Sequence, residues 1–447
     1  MTCAANKSRR VAVLLVGVLG GVSAPASAMT LGDAYQRALQ HDPAIASSIA
    51  QYEADREASE LERAELRPLI SADGKYEFAH TDSDGVFGNT KDDYWAWSAG
   101  VSLRQALFRL DWSARGQRAD ALDALSDISI TDRRQKLLLR TAERYFGVLN
   151  AQDSVEQAGA EAKAIRESLE DTRKRYEVEL VPGTDLKEAQ ARDDLAQARL
   201  LSARRALDNA RDALDEVTGN GRVALPQIRE DAEFPPLEPA QVEDWVKAAR
   251  EHNPTILQAQ QNAVIAGADR RSRVAEAAPS LDLVGRAGRS DDSDFDFGQR
   301  ADDARIGVQL TVPLYAGGGV SAAKRQAAAK ERFAVAELNR TTLETERQTR
   351  QLFNQVQTAY SETQAYNRAL VSARAAETAT RAGYEAGTRT ITDVLDAQSR
   401  TVQAQLNYDS TRYSLLLNLL QLKQAAGNLT ERDFAGIDKL MQPVSAQ

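Results

Sequence analysis

Two stretches of this 447-residue chain recur at a fixed distance, and the recurrence limits the possible folds more than any other feature. Tyr176 to Gln190 reads YEVELVPGTDLKEAQ, and Tyr384 to Gln398 reads YEAGTRTITDVLDAQ. Tyr384 minus Tyr176 and Asp393 minus Asp185 are both 208. The flanks repeat as well. His41-Asp42-Pro43 returns as His252-Asn253-Pro254, 252 − 41 = 211 residues on, and Pro68 returns as Pro279 at the same offset. Asp42 and Asn253 suit helix caps, the proline after each suits a first helical position, and the later proline ends the helix. Each half therefore predicts a short amphipathic helix (Leu31 to Gln40 in the first) and a second helix, running to about Leu66 there.

Period-two patterns follow each proline. Ile70, Ala72, Gly74, Tyr76 and Phe78 alternate with Ser71, Asp73, Lys75 and Glu77. Trp95, Trp97, Ala99, Val101 and Leu103 alternate with Ala96, Ser98, Gly100, Ser102 and Arg104. In the second half Leu281, Leu283, Gly285 and Ala287 share one face, and Ala304, Ile306, Val308, Leu310, Val312 and Leu314 share another. Runs of about ten residues with one apolar face suit tilted membrane strands or a soluble antiparallel sheet. Tyr94, Trp95 and Trp97 read as an interfacial aromatic girdle. The acidic stretches Ala79 to Asp93 and Ser290 to Asp303 read as loops. Four strands cannot close a barrel, since known single-chain examples begin at about eight. Strands in lipid would have to be pooled from several chains.

Helix formers dominate beyond residue 110. No proline occurs from Trp112 to Leu180, so one helix of roughly 100 Å is predicted there. The return helix places Leu186, Ala189, Asp193, Ala196, Leu200, Ala203, Leu207, Ala210, Leu214 and Val217 in alternating steps of three and four, a left-handed coiled-coil seam. Val394, Ala397, Thr401, Ala404, Tyr408, Thr411, Leu415, Asn418, Leu422 and Ala425 repeat that register.

Residues 1–28 read as a signal peptide: Lys7, Arg9 and Arg10, the apolar run Val11 to Val22, then Ala26-Ser27-Ala28 before Met29. The organisation expected is 1–28 signal peptide, 29–219 first repeat, 220–240 proline-bearing linker, 241–427 second repeat and 428–447 irregular tail. Removing three basic residues takes the net charge from −9 to −9 − 3 = −12, which argues against nucleic acid as a partner. Cys3 is the single cysteine, so a disulfide framework is excluded. His41, His80 and His252 form no metal-ligand pattern, and no cofactor motif or catalytic constellation is found.

With these elements in order, the chain resembles the TolC family of outer-membrane channel-tunnels. The resemblance is carried by RYEVELVPGTDLKEAQ from Arg175, YEAGTRTITDVLDAQ from Tyr384, and Leu314-Tyr315-Ala316-Gly317-Gly318 at the strand-to-helix junction. It covers essentially the whole mature chain. It implies a mainly α chain with a small β part: long helices forming an α-barrel, and four strands given to a twelve-stranded transmembrane β-barrel in a homotrimer. It implies a cell outer-membrane location extending into the periplasm, contact with outer-membrane lipid, and export with a periplasmic adaptor and an inner-membrane ABC or proton-driven transporter. The cargo class implied is protein (type I secretion) or small molecules (multidrug efflux). A periplasmic coiled-coil adaptor or scaffold without a channel is the competing reading.

The resemblance also implies roles at the two turns. Thr184, Asp185, Tyr384 and Arg389 would form a gate network, with Tyr384 bonded near Asp185 and Arg389 near Thr184 and Asp185. Asp393 and Asp396 would form an acidic ring at the entrance. Val181, Pro182, Gly183, Gly387 and Thr388 would meet the adaptor. Ordinary helix capping by Thr184 and Asp185, and by Thr392 and Asp393, accounts for part of the same pattern. Glu179 stands where the family and the second repeat, at Gly387, have glycine, so the two tips are expected to differ.

Overall fold

The computed structural model describes residues 28–85, 88–229, 231–291 and 300–442. The stretch read as a signal peptide, apart from its last residue, lies outside them, as do residues 292–299 of the second acidic stretch and the last five residues.

Each half runs short helix, medium helix, hairpin, long helix, return helix. The first comprises α1 (Leu31–His41), α2 (Pro43–Ala64), β1 (Leu69–Gly85), β2 (Gly88–Phe108), α3 (Trp112–Glu177) and α4 (Gly183–Thr218). The second comprises α5 (Val242–His252), α6 (Pro254–Ala275), β3 (Ser280–Asp291), β4 (Arg300–Thr311), α7 (Gly319–Glu385) and α8 (Ile391–Ala425), and α9 (Glu431–Asp438) follows. The sequence signals act as read. Asp42 accepts from the Ala44 N–H at 2.7 Å, and Asn253 from those of Thr255 and Ile256, each with proline at the first helical position.

α3 and α7, of 66 and 67 residues, each span about 100 Å. α2 and α4 stack along α3, and α6 and α8 along α7, with α6 also packed on α3. Every predicted seam position of α4 and α8 is buried or half-buried. The core is concentrated in a belt around the middle of the rod. There Leu137, Leu138, Tyr145, Phe146 and Leu149 of α3 meet Leu214 and Val217 of α4, Leu416 and Leu420 of α8, and α1.

The chain between the repeats is a strap on this belt. Leu225 and Ile228 are buried, and Ile228 bridges Met441. The segment after Gly427, read as irregular, contains α9, whose Phe434 and Ile437 are buried in the belt. Thr430 and Asp433 cap it reciprocally, so a local signal was present in the sequence.

The four strands form one antiparallel sheet in the order β1-β2-β3-β4. Register aligns the faces. Ile70, Leu103, Gly285 and Ile306 share a row, as do Ala72, Val101, Ala287 and Ala304. Ser71, Ser102, Arg286 and Arg305 share a row on the other face, next to Asp73, Gly100, Gly288 and Asp303. β1 and β2 have 17 and 21 residues and run through much of the stretch read as a loop. Opposed charges hold this extension: Lys91 to Asp82 at 2.7 Å and His80 to Asp93 at 2.6 Å. β4 stops at Thr311, short of the Leu314 expected, because Pro313 has no N–H for a ladder.

One buried carboxylate sits inside the belt. Asp153 of α3 accepts from the Tyr413 hydroxyl of α8 at 2.7 Å and from Gln227 of the strap at 3.3 Å. Burial pushes its pKa up to about 6, against the Tyr413 hydrogen bond and with help from the nearby charges of Asp409 and Glu156. The folded state therefore holds more protons than the unfolded chain between the ordinary value, 3.8, and about 6. Stability from this group is greatest at the acid side and is lost as pH rises through that window. Asp153→Asn keeps an acceptor for Tyr413 and removes the titration. We expect the variant to gain up to roughly 3 kcal/mol relative to wild type between pH 4 and pH 7. Parallel pH dependences of the melting temperature in the two proteins, followed by circular dichroism, would contradict this.

Candidate functional site

Both tips close with the same backbone turn. At the α3–α4 tip the Leu180 N–H reaches the Arg175 carbonyl at 2.8 Å, and at the α7–α8 tip the Thr388 N–H reaches the Gly383 carbonyl at 2.8 Å. These bonds are five residues back, the pattern of a helix stop with a left-handed residue after it. That residue is Gly387 at φ 77° in one tip and Glu179 at φ 61° in the other. Among the described residues Glu179 is the sole non-glycine with positive φ. Its side chain costs about 1–2 kcal/mol there. The tips thus differ in strain and chemistry while sharing a backbone path. Tyr176 covers Gly183, where an added Cβ would lie 3.5 Å from the ring, and Arg389 covers Gly383.

Their helix starts also differ. Thr390 caps α8 and forms a reciprocal box with Asp393: Asp393 N–H to Thr390 Oγ1 at 3.2 Å, and Thr390 N–H to Asp393 Oδ2 at 2.9 Å. These Thr390 donors, with a smaller contribution from the charge of Arg389, hold the Asp393 carboxyl below its ordinary range. The capping reading therefore applies to Asp393, with Thr390 as the cap. Pro182 precedes α4 without a side-chain cap, and Thr184 donates to Asp185 at 3.2 Å. Val181, Pro182, Gly183, Gly387 and Thr388 lie at the apices, and all but the half-buried Val181 are exposed.

Within one chain, the two hairpins are tied by arginines. Arg175 donates to the Tyr384 hydroxyl at 2.8 Å, lies 5.7 Å from the centre of its ring, and pairs with Asp171 at 2.8 Å. Arg192 of α4 reaches Asp396 of α8 at 3.1 Å and Glu188 at 2.9 Å. The expected Tyr384–Asp185 contact is not the one made: the phenol takes Arg175, and Asp185 takes Thr184. Arg389 makes no bond to Thr184 or Asp185 inside the chain; its backbone N–H returns to Gly383. Sequence reading missed Arg175 and Arg192 as ties. The first opens the repeated motif. The second shows only an i,i+4 spacing from Glu188, and its partner lies 204 residues on.

At the other end, the aromatic side chains collect on the apolar face of the sheet. Tyr76 stacks on Trp95 at 5.0 Å, and Phe78 lies 5.1 Å from Trp95. Register sets Trp97 opposite Tyr76 and Trp95 opposite Phe78, but sets Tyr94 opposite Ala79. Period two therefore sends Tyr94 to the polar face, and it does not belong with Trp95 and Trp97; Tyr76 and Phe78 do. The ion pairs Arg289–Asp302 and Arg300–Asp291, both 2.8 Å, border the apolar face on β3 and β4. Exposed Phe108, Leu314 and Tyr315 border it at the helical end. From Trp97 to Phe108 the strand covers roughly 36 Å, or about 28 Å along the normal at a tilt near 40°. That matches the apolar band of a membrane barrel.

Among the described residues no helix is long and apolar enough to cross a membrane, and no cluster of His, Cys, Asp or Glu has the form of a metal site.

A family model described as "Outer membrane efflux protein" matches residues 34–220 and 245–428, the two repeats. The chain is 32% identical over 452 residues to "Outer membrane protein TolC" of Escherichia coli (strain K12), covering 97% of this chain and 89% of that protein. It is 31% identical over 415 residues to "Alkaline protease secretion protein AprF" of Pseudomonas aeruginosa, covering 91% and 86%. Among solved structures, a membrane protein from Pseudomonas aeruginosa superposes with a TM-score of 0.76 at 20% identity, covering 96% of this chain and 98% of that one. The outer membrane protein VceC of Vibrio cholerae has a TM-score of 0.76 at 19% identity, covering 89% and 96%. These two establish the likeness of fold.

The strain at Glu179 leads to a paired test. Glu179→Gly removes the Cβ from a left-handed position, so the tip gains about 0.5–1 kcal/mol after glycine's greater freedom in the open chain is counted. Gly387→Ala loses a similar amount or more. Hydrogen exchange at the Leu180 amide should slow about two- to fivefold in the first variant, and exchange at Thr388 should quicken in the second. A Leu180 amide that exchanges as fast or faster in Glu179→Gly would contradict the strain.

Proposed function

Because the chain belongs to the outer membrane efflux protein family, we propose that three copies pool their strands into one closed twelve-stranded barrel, continued by their helices as a tunnel into the periplasm. The protein is an outer-membrane channel of the kind that serves type I secretion or efflux. The family is one of channels and not an enzyme class.

The observation that carries the reading is the sheet. Its apolar face is continuous across four strands, its other face bears Asp73, Arg286, Asp303 and Arg305, and β1 and β4 each have one unpaired edge. In lipid an unpaired edge is not viable, and closure by further copies removes it. The polar face then lines water, and Trp95, Trp97, Tyr76 and Phe78 anchor at one interface. A coiled-coil adaptor is not favoured, since it needs neither this sheet nor two complete repeats.

At the far end, Tyr384, Arg389, Thr184 and Asp185 act as the gate network. Arg175 holds Tyr384 within a chain, and Arg389, unbonded to Thr184 or Asp185 there, is available to a neighbouring copy. Exposed ties of this kind are worth about 0–1 kcal/mol each, weak enough to be broken by a docking partner. Asp393 and Asp396 form an acidic ring at the mouth, which favours cations. The apices Val181, Pro182, Gly183, Gly387 and Thr388 meet a periplasmic adaptor, which links the channel to an inner-membrane ABC or proton-driven transporter. AprF's name places that relative in protease secretion, and the same duct chemistry serves small molecules.

The mature protein should fractionate with outer membranes, need detergent for extraction, and migrate as a cross-linkable trimer. Recovery of a monomer in detergent-free buffer would overturn the channel. Tyr384→Phe combined with Arg389→Ser should raise single-channel conductance in planar bilayers severalfold, because the tip loses the phenol oxygen that Arg175 holds and the guanidinium donors of Arg389. Unchanged conductance would remove these residues from the gate.

A further inference from the structure

The two carboxylates assigned to the entrance ring stand three residues apart on α8 but have different company. Asp393 is held by Thr390, through an N–H at 2.9 Å and a hydroxyl at 2.8 Å. Those two partners are dipoles, and the nearby charge of Arg389, which makes no ion pair with Asp393, acts on it less than they do, so most of its negative charge remains. Asp396 is held at 3.1 Å by Arg192, a cation on the return helix of the other repeat. The same guanidinium binds Glu188 at 2.9 Å. Its side chain is 31% exposed, and that of Asp396 is 52% exposed. Since α4 packs on α3, and α8 on α7 and α3, Arg192 crosses from one coiled pair to the other.

We propose that Arg192 is a specificity-determining residue of the duct: it compensates Asp396 at the mouth, so that Asp393 carries most of the uncompensated ring charge. The inference rests on the trimeric entrance reading above. Around a threefold axis, three guanidiniums stand among six ring carboxylates and three Glu188 carboxylates, so the charge at the mouth falls by a third and the loss is concentrated at Asp396 and Glu188. Arg192 also fixes where the remaining negative charge sits, because one planar fork holds Asp396 and Glu188 together. The mouth is thereby less selective for cations than its aspartates alone would make it, and it accepts anionic cargo groups more readily. A narrow, low-dielectric opening amplifies the difference, since like charges focus the potential there. Nothing in the tip motif reports this, because the motif contains the aspartates and not their counter-charge.

The test is the reversal potential of the full-length trimer in planar bilayers under a potassium chloride gradient. Arg192→Gln should raise the cation-to-anion permeability ratio about two- to fivefold, because Asp396 and Glu188 are uncovered. Arg192→Lys should stay near wild type. Asp396→Asn should lower cation preference less than Asp393→Asn, and Arg192→Gln with Asp396→Asn should lose most of the gain. A purely structural role for Arg192 would change conductance through a looser tip and leave the reversal potential alone. If the aspartate variants shift the reversal potential and Arg192→Gln does not, the compensation is wrong. If neither aspartate variant shifts it, the acidic entrance itself is wrong, and the inference falls with it.

Discussion

An unpaired N–H or C=O cannot be left facing hydrocarbon, where each costs several kcal/mol. A sheet of four strands has two rows of such groups, along the free edges of β1 and β4. Apolar side chains make one face fit for lipid, but no side chain can satisfy a strand edge. The requirement passes upward from secondary structure to assembly: a chain with this sheet is complete only as part of a ring. The helices inherit that geometry, because each hairpin is joined to its long helix by a short connection, three residues from β2 to α3 and seven from β4 to α7. A closed ring of strands therefore arranges the rods beneath it in a ring as well.

Between membrane and tip the molecule changes its means of cohesion. The sheet is held by its ladder and by lipid. The middle belt is held by a dry core with Tyr145, Phe146, Leu149, Leu214 and Leu420, tightened by the strap after α4 and by α9. Towards the tips buried large apolar residues thin out, and Arg175, Tyr384, Arg192 and Asp396 supply weak, exposed polar links instead. A firm middle with loosely tied ends localises motion at the ends, since opening free energy follows local burial.

Much of this was legible in the residues because it is periodic. The seams of α4 and α8, the caps at Asp42 and Asn253, and the faces of the four strands are local patterns. What was not legible depended on register or distant partners. The extension of β1 and β2 through an acidic stretch follows from Asp82 meeting Lys91 and His80 meeting Asp93, pairings visible only once the strands are aligned. Arg192 and Asp396 are likewise joined by the packing of two repeats. Two misreadings had signals present. Tyr94, next to Trp95 in a strand, had to face the other way. Thr430 and Asp433 had the spacing of a capping box ahead of α9.

The pairing of β2 with β3 has a consequence for how such a chain is organised. It joins the repeats by an antiparallel ladder of the same kind that joins β1 to β2 and β3 to β4. At the level of the sheet, the seam between halves cannot be told from the seam within them. Six half-length polypeptides around an axis would satisfy the same edges as three full-length ones. Covalent fusion in pairs does not alter the closure of the wall, but it lowers the symmetry that the rest of the molecule must obey. Neighbouring positions around the rim become inequivalent. One can carry Glu179 while its counterpart carries Gly387, a difference that identical subunits could not maintain.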